Sequence, residues 1–260
     1  MNQNPGDSMA TSDCKLSVDF KARIYDRYLT QTVRLSDEMV QTALRQRGPY
    51  LRSIISSFLP QDKQVRILDL GCGYGAMLHT LRAAGYTRLT GVDGAPEQVA
   101  QARRLGFEDV HEHDLRAYLD GVAESSFDAV VAFDVLEHFS RGDLFALVDE
   151  IHRVLAPGGR LILHLPNAEG IFCGSILYGD MTHEMAFTRS SLRQLAGACG
   201  FRVIAFKEEL PIAHGLVSFC RLLIWRTGSF FFRLLAAAET GGGFRDKPLT
   251  QNLVAVLERG

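Results

Sequence analysis

The stretch that most constrains this chain is Val65–Ala76, Val-Arg-Ile-Leu-Asp-Leu-Gly-Cys-Gly-Tyr-Gly-Ala, an apolar run that ends in three alternating glycines. Val65 to Leu68 has strand character, and Gly71, Gly73 and Gly75 permit a turn too tight for side chains. Met77 to Ala84 follows with helix formers and apolar residues, which suit a helix packed on a sheet. Strand, turn and helix in that order place a ligand over the turn. Gly71-Cys72-Gly73-Tyr74-Gly75-Ala76 also satisfies the loose dinucleotide fingerprint, in which a pyrophosphate rests on the helix N-terminus. Asp69 argues for a different ligand. Its carboxylate would repel a pyrophosphate in a poorly screened cleft and would attract a cation.

The rest of the chain repeats the strand-helix alternation. Leu89–Asp93 is a second short strand ending in an acid, with Gly94 and Pro96 opening the next helix. Asp93 stands where a doubly wound fold places a carboxylate for ribose hydroxyls; capping of the next helix is its alternative role. Val110 opens a third strand that ends at Asp114. His111-x-His113 imitates a metal pair but has no evident third ligand, so no metal is expected. Phe127–Phe133 is almost continuously apolar, as a strand buried on both faces should be, and runs into Asp134-Val135-Leu136-Glu137-His138-Phe139. Chemistry is expected at this carboxyl end. A helix over about Asp143–Leu155 follows, Ala156-Pro157-Gly158-Gly159 breaks it, and Arg160–Leu165 forms a fifth strand.

Leu-Asp-Leu-Gly-Cys-Gly-Tyr-Gly resembles the first motif of class I S-adenosylmethionine-dependent methyltransferases. Val-Leu-Glu-His-Phe, with Arg-Val-Leu-Ala-Pro-Gly-Gly-Arg-Leu-Ile-Leu after it, resembles the second half of the same signature. The resemblance covers roughly Val65 to Phe206 and the final strand. It implies an α/β, doubly wound, Rossmann-like, seven-stranded and mostly parallel sheet with an antiparallel last strand. N-terminal helices and a helical insert before the last strand lie outside it. The implied cofactor is S-adenosylmethionine. Asp69 would meet its amino acid end and Gly71, Cys72 and Gly73 its turn, with Asp93 and Gly94 at the ribose. Asp114 would face the adenine amino group with Leu115 against the ring, and Phe133 and Asp134 would adjoin the cofactor from the fourth strand. Gly179–Thr188 resembles a segment of methyltransferases from bacterial polysaccharide and O-antigen gene clusters, which implies a sugar hydroxyl on a glycan as acceptor. A small phenol, a quinone precursor or a nitrogen acceptor are alternatives.

A hydroxyl acceptor must lose its proton, and His138, an imidazole just beyond the fourth strand, is the first candidate for the base. His183, oriented by Asp180, is the second; Tyr25, Tyr178 and Asp180 are assigned to the substrate. Two rivals remain at this point. An NAD(P)-dependent dehydrogenase would use Asp93 and the glycines equally well, although no Tyr is followed four positions later by Lys. A cofactor-binding partner subunit without catalysis would keep them too.

A net charge of −2 over 260 residues gives no extended basic surface, so nucleic acid is not an expected partner. Five scattered cysteines without a Cys-x-x-Cys pair, and a polar Met1–Asp13 without a signal-peptide core, point to a cytoplasmic setting. Residues 1–15 are read as a mobile terminus, 16–60 as a helical cap, 61–209 and 245–260 as the methyltransferase domain, and 210–244 as an insert. In the cap, Gly48-Pro49 should interrupt the helix, and Tyr25 and Tyr28 are the lid contacts if the cap covers the cofactor. In the insert, Phe219, Trp225 and Phe230–Phe232 alternate with Arg221, Arg226, Gly228 and Arg233. That pattern predicts two short amphipathic helices, packed on the domain or across a homodimer, lying on the inner face of a membrane, or walling the substrate pocket.

Overall fold

The computed structural model describes residues 36–212, 215–241 and 247–260. The chain divides into two compact units at Thr42/Ala43. Of the first, Ser36–Thr42 is described: the Ser36 hydroxyl accepts the Met39 N–H at 3.2 Å, the helix start that Ser36-Asp37-Glu38 predicts. Tyr25 and Tyr28 lie outside the described residues.

The larger unit is built on a seven-stranded sheet of order β3-β2-β1-β4-β5-β7-β6. In chain order the elements are α1 (Asp37–Phe58, which begins in the first unit), β1 (Arg66–Leu70), α2 (Ala76–Ala83), β2 (Arg88–Asp93), α3 (Pro96–Arg104) and β3 (Val110–Glu112). Then come α4 (Leu115–Asp120), β4 (Phe127–Phe133), α5 (Arg141–Val154), β5 (Leu155–Pro166) and α6 (Cys173–Leu177). The chain closes with α7 (Arg189–Ala198), β6 (Phe201–Glu208), α8 (Leu216–Thr240) and β7 (Asn252–Arg259). β1 to β5 pair in parallel, and β7 runs antiparallel between β5 and β6. The expected Rossmann-like sheet and its reversed last strand are present.

Alternation along the central strands explains the layering. Leu68 and Leu70 of β1, Val130 of β4 and Leu161 and Leu163 of β5 face Leu147, Ile151, Leu192 and Leu195 on one side. Their neighbours Ile67, Ala129, Val131 and Ile162 face Leu51, Ile54, Met77 and Leu81 on the other. Arg66 ties the start of β1 to Asp128 of β4 through two side-chain hydrogen bonds of 3.0 and 2.8 Å.

Two helices differ from expectation. α1 continues through Gly48-Pro49. It forgoes the hydrogen bond a proline cannot donate, a cost of about 3 kcal/mol. Burial of Leu51, Ile54 and Ile55 against the sheet offsets this at about 1.5–3 kcal/mol per side chain. The insert is one helix of 25 residues, not two, running unbroken through Gly228. A single interior glycine costs only about 1 kcal/mol, too little to end a helix whose other residues propagate it. No described helix is long and apolar enough to cross a membrane.

Candidate active site at the carboxyl ends of the strands

The glycine turn is fastened to β2: the N–H groups of Gly71 and Cys72 both donate to the Val92 carbonyl, at 2.8 and 3.0 Å. Gly71 has φ +76° and Gly73 φ +52°. A Cβ on Gly71 would stand 2.4 Å from Val135 Cγ2, so this glycine is needed for space as well as conformation. The Cys72 side chain packs with Leu78, Val99 and Phe107, and its carbonyl accepts the Gly75 N–H at 2.9 Å, so Cys72 holds the shape of the turn.

Asp69 is 2% exposed, and its Oδ2 has no hydrogen-bond partner among the described residues. Burial, and then the charge of Asp93, push its carboxyl up to about 7. A cation arriving over the turn would supply the missing partner and restore the ionised form. Asp93 accepts the Gly73 N–H and the Ala95 N–H, each at 2.8 Å, so it braces the glycine turn and the turn that leads into α3, whose N-cap is Ala95 without a side-chain bond. Burial raises its pKa against the pull of those two bonds. A Cβ on Gly94 would meet only an ordinary contact, 3.8 Å from the His113 carbonyl. Asp114 is exposed and accepts the Ala117 N–H at 2.9 Å as the cap of α4, and Leu115 packs half-buried on the main core. His111 is bonded to Asp109 at 2.8 Å and His113 to the Asp114 carbonyl at 3.0 Å, so each of that pair has a local partner.

At the end of β4, the Phe133 ring stacks on His164 with centroids 5.0 Å apart. Asp134 is held at φ +57°, a conformation aspartate tolerates better than most residues. Its Oδ1 accepts from His164 Nδ1 at 2.5 Å, and Arg47 lies 3.6 Å from its Oδ2. His164 Nε2 donates to Glu209 at 3.1 Å, and Asn252 adds a bond to the same carboxylate at 2.9 Å. Burial disfavours a charged His164, but Asp134 and Glu209 outweigh it and raise its pKa to about 10. Both carboxyls are held below their ordinary range: burial opposes their ionisation, and His164 overcomes it.

The next turn carries Glu137 and His138. Glu137 is 1% exposed, its Oε2 has no partner among the described residues, and burial followed by the Asp134 charge pushes it up to about 8. The Thr182 hydroxyl gives its proton to Asp180 at 2.6 Å and meets His138 Nδ1 at 2.9 Å as an acceptor. That assignment puts hydrogen on Nδ1 and the lone pair on Nε2. Burial and the neighbouring His183 lower the His138 pKa, against the pull of Asp180, so the ring is neutral near pH 7. The two imidazoles meet edge to face, with centroids 4.8 Å apart, and His183 Nδ1 donates to the Ile176 carbonyl at 3.0 Å.

The structure thus gathers His138, His183 and Asp180, and separately Asp69 with Asp93. Asp180 reaches His138 through Thr182, and Tyr178 is 80% exposed. Sequence reading passed over His164, Glu209, Thr182 and Glu137. An ionisable residue inside Leu-Ile-Leu-His-Leu-Pro and another inside Val-Leu-Glu-His were the available signals.

A family model described as a methyltransferase domain matches residues 43–205. Among curated proteins, a ubiquinone biosynthesis O-methyltransferase of Xylella fastidiosa (strain 9a5c) is 36% identical over 131 residues, 49% of this chain and 52% of that protein. A 27-O-demethylrifamycin SV methyltransferase of Amycolatopsis mediterranei (strain S699) is 32% identical over 114 residues, 42% of this chain and 41% of the other. The chain therefore spans about half the length, or less, of these relatives. Among solved structures, a SAM-dependent methyltransferase from Archaeoglobus fulgidus superposes with TM-score 0.56 at 19% identity, over 86% of this chain and 95% of that one. The family match selects one of the two enzyme alternatives left open by the glycine turn, and the sheet order agrees with it: the chain belongs to the methyltransferase-domain family.

Proposed function

We propose that the chain is an S-adenosylmethionine-dependent O-methyltransferase. The observation that carries this reading is the orphaned Asp69 oxygen beside the glycine turn, which suits an ammonium or sulfonium and repels a diphosphate. Asp69, the backbone of Gly71–Gly73 and Asp93 would hold the cofactor. S-adenosylmethionine, when bound, supplies an electrophilic methyl carbon whose bond to sulfur breaks with the electron pair staying on sulfur. The chain's own part is alignment, which is worth about 7–11 kcal/mol when reacting atoms are held in line. The neutral His138 takes the acceptor's proton at Nε2, with Thr182 and Asp180 fixing its tautomer, a contribution of about 10²- to 10⁴-fold.

A cavity of about 560 Å³ lined by Tyr50, Phe172, Glu209, Trp225 and Asn252, and not by His138 or the glycine turn, is the place we assign to the part of the acceptor away from its reacting hydroxyl. Its mixed aromatic and polar wall suits a sugar hydroxyl on a glycan intermediate, the acceptor that Gly179–Thr188 implies. A phenol is the second reading, supported by the ubiquinone-pathway relative. α8 supports contact with an anionic lipid surface. Phe219, Ile224, Phe231 and Leu235 are exposed along it, Arg221 and Arg226 are exposed beside them, and its one acid is Glu239.

S-adenosylhomocysteine should raise the melting temperature and NADH should not; the reverse result overturns the reading. Incubation with methyl-labelled cofactor and separate glycan and phenol acceptors, read by product mass, decides the acceptor and excludes a purely non-catalytic subunit if label moves. Flotation on anionic vesicles should be lost when Phe231 and Leu235 become Asp. Unchanged flotation, or none by the parent chain, removes the membrane role.

A further inference from the structure

The two imidazoles and the buried carboxylate beyond β4 form a cluster that proton abstraction alone does not use. One ligand-capable atom each from Glu137, His138 and His183 lies within 4.8 Å of the others. Glu137 Oε2 has no hydrogen-bond partner among the described residues although the residue is 1% exposed, which is an expensive arrangement for a carboxyl group. Both histidines are already oriented as ligands are. His183 Nδ1 donates to the Ile176 carbonyl and His138 Nδ1 to Thr182, itself held by Asp180, so each lone pair sits on Nε2. A ring nitrogen bonded to a carbonyl or hydroxyl while the other faces an ion is the usual outer arrangement of a metal-binding histidine.

We propose that Glu137, His138 and His183 bind a divalent transition-series cation, with open positions for the acceptor hydroxyl. Two imidazoles and one carboxylate are the donor set of zinc and iron(II) sites that keep positions for substrate, and suit magnesium or calcium poorly. Metal–ligand lengths near 2 Å require ligand atoms roughly 3–3.5 Å apart, so the side chains close inward by about an ångström when the ion enters. The site's role rests on the O-methyl-transfer reading and changes one step of it. The acceptor oxygen bound to the cation has its proton made acidic and released to solvent, and His138 serves as a ligand in place of a base. The ligands come from the turn after β4 and from the segment before α7, far apart in the chain. The spacing of His111 and His113 gave no hint of them.

Cobalt(II) titration of the metal-free full chain, followed by visible absorption, tests the site. One equivalent should bind with d–d bands and be displaced by zinc. His183→Ala and Glu137→Gln should each weaken cobalt binding by at least tenfold, and Thr182→Val by about 10- to 100-fold, the range for an outer partner. Absence of cobalt binding by the parent, or unchanged affinity in His183→Ala and Glu137→Gln, overturns the site. If Glu137→Gln does not fold, the half-buried His183→Ala decides alone. The two readings fail separately. An S-adenosylhomocysteine melting shift without cobalt binding removes the metal and keeps methyl transfer; cobalt binding without that shift does the reverse.

Discussion

His164 and Asp69 are both 2% exposed, and both interrupt apolar strands at the same end of the sheet, yet their surroundings differ in kind. His164 has a carboxylate on each ring nitrogen, Asp134 at 2.5 Å and Glu209 at 3.1 Å, so its charge is complete within the protein. Among the described residues Asp69 keeps one oxygen without a partner, as does Glu137 one turn beyond β4. A buried charge that is already paired braces the fold, whereas one left open costs stability until something binds. Between His164 on one side and Asp69 and Glu137 on the other, the pairing state is the difference.

That contrast predicts opposite responses to mutation. Replacing His164 with Leu leaves Asp134 and Glu209 without their shared cation and should cost about 3 kcal/mol. In thermal unfolding this is a fall of roughly 6–12 °C for a domain of this size. The folded pKa of His164 is raised, so its contribution is present below the ordinary histidine range and is lost as pH rises through about 10. The deficit of the Leu variant should therefore narrow toward pH 10. A variant as stable as the parent at pH 7 would remove the brace.

Asp69→Asn should leave the melting temperature of the ligand-free protein within about 2 °C of the parent or above it, because the substitution removes a penalty. S-adenosylhomocysteine affinity should fall about 10- to 100-fold, the loss expected for a hydrogen bond to a charged group. Equal affinity by calorimetry would detach Asp69 from the ligand.

A third measurement reads the same carboxyl through its proton. The folded pKa of Asp69 is raised to about 7, so its neutral form stabilises the ligand-free protein at low pH and that stability is lost as pH rises through about 7. A cationic ligand demands the ionised form. At pH 6, binding of S-adenosylhomocysteine should release up to about one proton, and at pH 8 far less. Calorimetry in two buffers of different ionisation enthalpy shows this directly, and identical enthalpies at pH 6 would contradict it.

What was legible in the sequence follows the same division. The sheet could be read because β1, β4 and β5 carry apolar runs buried on both faces that stop at a glycine, an acid and a proline respectively, a local pattern that burial enforces. Asp69 and Asp93 could be read because they lie beside the turn they serve. Glu209 and Thr182 could not, since their partners His164 and His138 are 45 and 44 positions away and only the folded sheet brings them together. The helix breaks at Gly48-Pro49 and Gly228 were overestimated for the opposite reason: local propensity was weighed without the packing that overrides it.

Gly228 gives the smallest effect. It lies inside α8 at a helical position, and a Cβ there would meet nothing within 4 Å. Ala at this position removes backbone freedom from the unfolded chain and should stabilise the protein by about 0.5–1 kcal/mol. S-adenosylhomocysteine affinity should stay the same, because α8 is fastened through Arg233 to Glu208 at 2.7 Å and not through the glycine turn. If the segment were instead two helices joined at Gly228, the glycine would stand in a turn where alanine is strained, and the change would be destabilising. The sign of one melting shift therefore tells a continuous helix from a broken one.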